Sequence, residues 1–216
     1  MSRPRFRLSL TLAAVAALAV AGSAAAATTL HVTSSSRVLG HAGTVSIATQ
    51  QDPAAYRTTV LVPAAYGLRT EARNDRTIGT ALVQTSTAVG ELTFDGWIIT
   101  QRQGDYVNDD CAAFAGENHL AVWLLRLRQT DGIARIEIPV FVDAAPAGRV
   151  ELTWCASRAA DMTVTGVSIS LPGVFVNPRA AGAYAWRANF DLAPMNQRST
   201  LDLGSETASA FAYVRL

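Results

Sequence analysis

Ten residues, GAYAWRANFD from Gly182 to Asp191, alternate so regularly that they constrain the fold more than any other stretch. Tyr184, Trp186, Ala188 and Phe190 fall on one face of an extended chain, and Arg187, Asn189 and Asp191 on the other. A half-buried antiparallel strand reads this way, because side chains of a strand alternate between faces with a period of two. The same period recurs in RVELTW, where Val150, Leu152 and Trp154 point inward, and in IARIEIPVFVD, where Ile136, Ile138, Val140 and Val142 do so. Pro139, on the opposite parity, suggests an edge position, since proline cannot donate to a ladder.

Further strands are expected at Thr44–Thr49, Tyr56–Val62, Gly79–Gln84, Glu91–Thr100, Leu120–Arg128, Asp161–Leu171 and Ser209–Leu216. In DMTVTGVSISL the apolar parity flips from Met162 and Val164 to Val167, Ile169 and Leu171, which predicts a β-bulge at Gly166. Turn material separates the runs: Gln51-Asp52-Pro53, Thr130-Asp131-Gly132, Ala144 to Gly148, Pro172-Gly173 and Asn177-Pro178. A helical stripe is missing apart from a short turn near Ala112 to Ala115. Short strands at this spacing predict an all-β sandwich or barrel. Of the two, an antiparallel sandwich of immunoglobulin-like architecture is expected, as one domain over residues 44–216 behind a loosely ordered lead-in at 28–43 with a strand at Leu30 to Thr33.

The N-terminus predicts export. Arg3, Arg5 and Arg7 precede an apolar run from Leu8 to Val20, and small residues from Gly22 to Ala27 follow. That is the tripartite pattern of a cleaved signal peptide, 1–27, whose apolar part is too short to span a bilayer. No later segment reaches the length of a membrane span, so a secreted, extracellular protein is expected. In an oxidising compartment the only two cysteines, Cys111 and Cys155, should pair. The bridge would close a loop of about 45 residues, worth up to ~4 kcal/mol by chain-entropy arguments. The formal net charge of +1 argues against a nucleic-acid partner, which needs a concentrated basic face.

Four stretches carry a likeness when taken together: VLVPAAYGL (Val60–Leu68), TIGTALV (Thr77–Val83), the His119–Leu124 segment after Cys111, and IPVFVD (Ile138–Asp143) followed by Cys155. The set resembles exported, uncharacterised β-sandwich proteins of high-GC Gram-positive bacteria. The resemblance implies a fold and a compartment; no activity is attached to the family, so no catalytic residues carry over. The order Cys111, Trp123, Cys155 also echoes immunoglobulin domains. Two features depart from it. Thr153 stands where a tyrosine corner would be, and Cys155 has the outward parity of its strand, so the disulfide should pin a surface loop.

Candidate sites are few. GDYVNDDC gathers Asp105, Asn108, Asp109 and Asp110, hard oxygen donors of the kind calcium takes six to eight of. The spacing is not that of an EF-hand, and an acidic turn tied down by Cys111 is the expected reading, with no cofactor. Neither a G-x-S-x-G elbow nor an H-E-x-x-H helix occurs. His119 opens a strand and is expected to make a loop-end polar contact. Glu91 and Asp95 lie roughly 13 Å apart on one strand, too far for the carboxylate pair of a glycosidase; a pair across strands stays open. Trp123, Trp154 and Trp186 read as core. In ELTFDGWIIT the inner parity belongs to Leu92, Phe94 and Ile98, which sends Trp97 outward beside Asp95. A bulge at Gly96 would return Trp97 to the core, and that is the favoured expectation. If Trp97 stays outside, it forms a ligand face with Asp95, with Phe141 as a further outward apolar residue.

The expected function is therefore a non-enzymatic surface or extracellular module that binds a polysaccharide or a protein, or associates with itself through an edge strand. A secreted glycoside-type hydrolase with a cross-strand carboxylate pair is the alternative.

Overall fold

A computed structural model describes residues 28–51, 55–70, 73–106, 111, 119–155, 162–192 and 205–215. The proposed signal peptide lies outside them.

Among the described residues twelve strands form one antiparallel sheet. They are β1 (Thr29–Ser34), β2 (Ala42–Gln50), β3 (Arg57–Val62), β4 (Gly67–Leu68), β5 (Thr77–Thr87), β6 (Gly90–Gln101), β7 (Ala121–Gln129), β8 (Arg135–Ala145), β9 (Arg149–Cys155), β10 (Thr163–Val176), β11 (Gly182–Asp191) and β12 (Ser205–Val214). Across the sheet the order is β1-β2-β10-β5-β6-β7-β8-β9-β3-β11-β12, with β4 paired to β10. Strands β5 to β9 are a meander, with short turns at β5–β6, β7–β8 and β8–β9 and a long connection carrying Cys111 between β6 and β7. β10 then returns between β2 and β5, and β3 is held between β9 and β11.

The sheet curls until its two ends meet. β1 lies beside β12, Val38 bridges Arg215, and the Arg215 amide donates to the Arg37 carbonyl at 2.9 Å. The Thr28 hydroxyl also donates to Glu206 on β12. The result is a nearly closed, barrel-like sheet; the hydrogen-bonded order does not break into two stacked sheets.

Period-two patterning set the inside correctly. Phe94, Ile98, Trp123, Leu125, Val140, Val142, Leu152, Trp154, Trp186 and Phe190 all lie in the core. The parity flip in β10 coincides with a register shift against β5 between Val164 and Gly166, as an inserted residue requires.

Four expectations are corrected. Residues 28–43 hold the expected strand at Leu30 to Thr33 but are not a loose lead-in: β1 pairs with β2 from Thr29↔Gln50 to Ser34↔Val45. Asn177 also fastens the following loop by donating to the carbonyls of Ser36 (2.9 Å) and Val38 (3.0 Å). Pro172-Gly173 does not end a strand; β10 runs through it with a register shift against β2 and with Gly173 at φ 71°, a conformation glycine accepts without strain. Pro139 is not on an edge strand, because β8 lies between β7 and β9. It is tolerated there because the β8–β9 ladder begins one residue later, at Val140↔Trp154. The C-terminal strand, finally, begins earlier than expected and spans Ser205–Val214; it ends the hydrogen-bonded order, with β1 lying beside it. The helical turn expected near Ala112 lies outside the described residues.

The disulfide forms between Cys111 and Cys155. Cys155 ends β9 on the outward parity, and Cys111 is buried against Val122 and Phe141 on the outer face of the sheet. The bridge thus pins a segment onto the outside of β7–β9, as the parity of Cys155 implied.

Candidate functional site: an outward-facing indole on a polar sheet face

β6 is paired on both sides without any register shift at Gly96. The expected bulge is absent, so the alternation continues and Trp97 stays outside, 58% exposed. Trp123, Trp154 and Trp186 are buried. Gly96 has a different role: a Cβ there would overlap the Arg126 carbonyl oxygen on β7. The glycine lets the two backbones approach, and the neighbouring indole is held on a rigid central strand.

Register places a row of outward side chains across the sheet. From β1 to β8 it runs Thr33, Ser46, Ser170, Thr80, Trp97, Arg126, Glu137. At about 4.8 Å per strand, seven strands span roughly 29 Å. The next row along β10 to β8 reads Ser168, Leu82, Asp95, Arg128, Arg135. Ser46 donates to Ser170 at 3.4 Å, Arg126 Nε to Glu137 Oε1 at 2.9 Å, and the Thr130 hydroxyl to Asp95 Oδ1 at 3.0 Å. Open depressions flank the indole. One, of about 790 Å³, includes Asp95, Arg126, Arg128, Arg135 and Glu137. A second, of about 580 Å³, includes Arg69, Arg76, Thr80 and Ser170.

Asp95 therefore shares the Trp97 face, as its parity required. Phe141 does not join it. Its side chain does point outward from β8, but it is fully buried beneath Tyr106, His119 and Cys111. Alternation gives the face of a strand and is silent about what covers that face. The serines, threonines and arginines of the two rows were missed individually, because each is an ordinary outward residue until register aligns it with Trp97.

A second polar cluster lies under the disulfide segment. His119 Nδ1 and Asp143 Oδ1 are 2.7 Å apart, both side chains nearly inaccessible, and the imidazole lies over Phe141 with ring centres 4.8 Å apart. Burial pushes the Asp143 carboxyl above its ordinary range, opposed by the hydrogen bond and charge of His119. The expected loop-end polar contact of His119 is thus a buried pair. Asp143 also faces Glu151 directly across β8 and β9, the one directly opposed carboxylate pair among the described strands. Such partners have Cβ atoms about 4.5–5.5 Å apart.

Asp105 is exposed in a short 3-10 turn, Gln103–Tyr106; Asn108, Asp109 and Asp110 lie outside the described residues. Among the described residues no group of three or more His, Cys, Asp or Glu side chains is placed to hold a metal ion. Among the described residues no helix is long and apolar enough to cross a membrane. A further exposed aromatic pair, Phe211 and Tyr213 on β12, stands opposite Ala185 and Ala183. No family model, curated protein or solved structure matches the chain.

Proposed function

We propose that the protein is an exported, non-enzymatic binding module whose Trp97 face takes a polysaccharide. The observation that carries this is the exposed indole set in register between hydroxyls on one side and charged groups on the other. A pyranose ring offers C–H groups that stack on an aromatic face and hydroxyls that exchange hydrogen bonds with neighbouring polar groups. The row supplies both within one rigid surface. The exposed Phe211 and Tyr213 stand against alanines, with Arg187 and Ser209 as the next outward pair.

The export reading rests on the N-terminal pattern, and the disulfide supports it, since such bonds persist in oxidising compartments. The likeness to exported proteins of high-GC Gram-positive bacteria remains part of this proposal.

A glycoside-type hydrolase is supported less. The carboxylates on the Trp97 face, Asp95 and Glu137, are separated by β7 and by one row, roughly 12 Å on sheet spacings, beyond the range glycosidases use. Each already has a partner. Asp143 and Glu151 are close enough, but Asp143 is buried on His119, away from the indole.

Cosedimentation of the oxidised mature chain with insoluble polysaccharides tests the proposal. Retention that Trp97→Ala abolishes, with an unchanged melting temperature, is the expected result. Retention that survives the substitution would contradict it.

A further inference from the structure

We infer that the glycan taken by this face is anionic, with carboxylates of the uronic acid type; the inference rests on the polysaccharide reading above. Five arginines and two carboxylates line the two depressions beside Trp97, among the described residues. The carboxylates are engaged: Glu137 by Arg126 at 2.9 Å, and Asp95 by the Thr130 hydroxyl at 3.0 Å. Arg128 and Arg135 are different. They face each other directly across β7 and β8, both exposed, and neither forms an ion pair among the described residues. Asp95 faces Arg128 from the other side yet forms no ion pair with it.

Like charges directly opposite on a sheet repel. Here Asp95 offsets the repulsion only from the Arg128 side and forms no ion pair, and an anion between the two guanidinium groups would relieve what remains. A carboxylate suits the place, because a guanidinium presents a planar fork that binds both carboxylate oxygens. The position is also right for a sugar. The Arg128–Arg135 pair lies one row along and one to two strands across from Trp97, roughly 10 Å on sheet spacings. A pyranose stacked on the indole can therefore direct a ring carboxylate, or that of the adjoining unit, between the two arginines. The charge is local: the chain as a whole carries only +1.

The test measures retention of the mature protein on beads bearing polygalacturonate and on beads bearing neutral galactan. Wild type, Trp97→Ala and the double variant Arg128→Gln/Arg135→Gln are compared at low and high salt. All three substituted side chains are exposed, and thermal melts confirm that each variant is folded. The expected result is at least tenfold stronger retention on polygalacturonate, falling with salt. The double variant should lose that advantage and keep its galactan binding, while Trp97→Ala should lose both. Equal retention on both polymers, or a double variant indistinguishable from wild type, would overturn the anionic assignment and leave the polysaccharide reading standing. No retention on either polymer would overturn both. Tighter binding to duplex DNA than to polygalacturonate, abolished by the double variant, would overturn the glycan in favour of a phosphate polyanion.

Discussion

Asp143 is the residue at which pH should act on this fold. Burial raises its carboxyl above the ordinary 3.8, with the His119 hydrogen bond and charge opposing. A carboxyl that holds its proton more tightly when folded adds stability at low pH, and that stability is lost as pH rises through the folded value. Asp143→Asn, which keeps a polar group beside His119, should remove the dependence. From pH 3.8 upward the melting curve of the variant should fall less steeply than that of wild type. Parallel curves would show that Asp143 titrates alike in both states. The sequence showed His119 at a strand end and Asp143 within IPVFVD, 24 residues apart, but it gave no sign that they meet. Their contact depends on how the segment before β7 is laid over β8, which no strand period encodes.

At the scale of elements, β6 and the disulfide segment carry separable duties. Gly96→Ala should destabilise by about 1–3 kcal/mol, as overpacking does, because the new methyl meets the Arg126 carbonyl oxygen. A weakened β6–β7 ladder should also lower retention on polysaccharide, measured well below the melting temperature. If the variant melts like wild type, the close approach of the two strands is wrong. Replacing Cys111 and Cys155 together by alanine should cost up to ~4 kcal/mol, since the bridge joins residues 44 apart. It should leave retention intact, because Trp97 lies outside the disulfide cluster. Loss of binding in the folded double variant would contradict that separation. Alternation made the elements legible: Trp154, Trp186 and the flip at Gly166 were placed from pattern alone. It failed at Gly96 and Pro139, where glycine and proline were read as breaks in pairing. Gly96 instead serves backbone approach, and Pro139 falls where one ladder has not yet begun.

The whole molecule is decided by closure, the feature a linear pattern reports least. An all-β chain with this punctuation fits a sandwich or a barrel equally well. The choice depends on β10 and β3 inserting between strands distant in sequence and on β1 reaching β12. Once these ends meet, little open edge is left, and free edges are what invite strand-to-strand association. Sedimentation velocity should therefore give a monomer over a wide concentration range; a concentration-dependent dimer would mean that the seam is open. Curvature also turns the outward residues of seven strands into one broad surface, with Trp97 near its middle. Register decides which hydroxyls and guanidinium groups flank the indole, so that surface could not be assembled from the sequence.

Tryptophan fluorescence tests the central claim most directly, because Trp97 is the one exposed indole among four. With acrylamide as quencher, a minor fraction of the emission should be readily quenched. Saturating polygalacturonate should protect that fraction, and Trp97→Phe should abolish it. Quenching that polymer leaves unchanged, although the protein is retained on that polymer, would place the binding face elsewhere on the barrel.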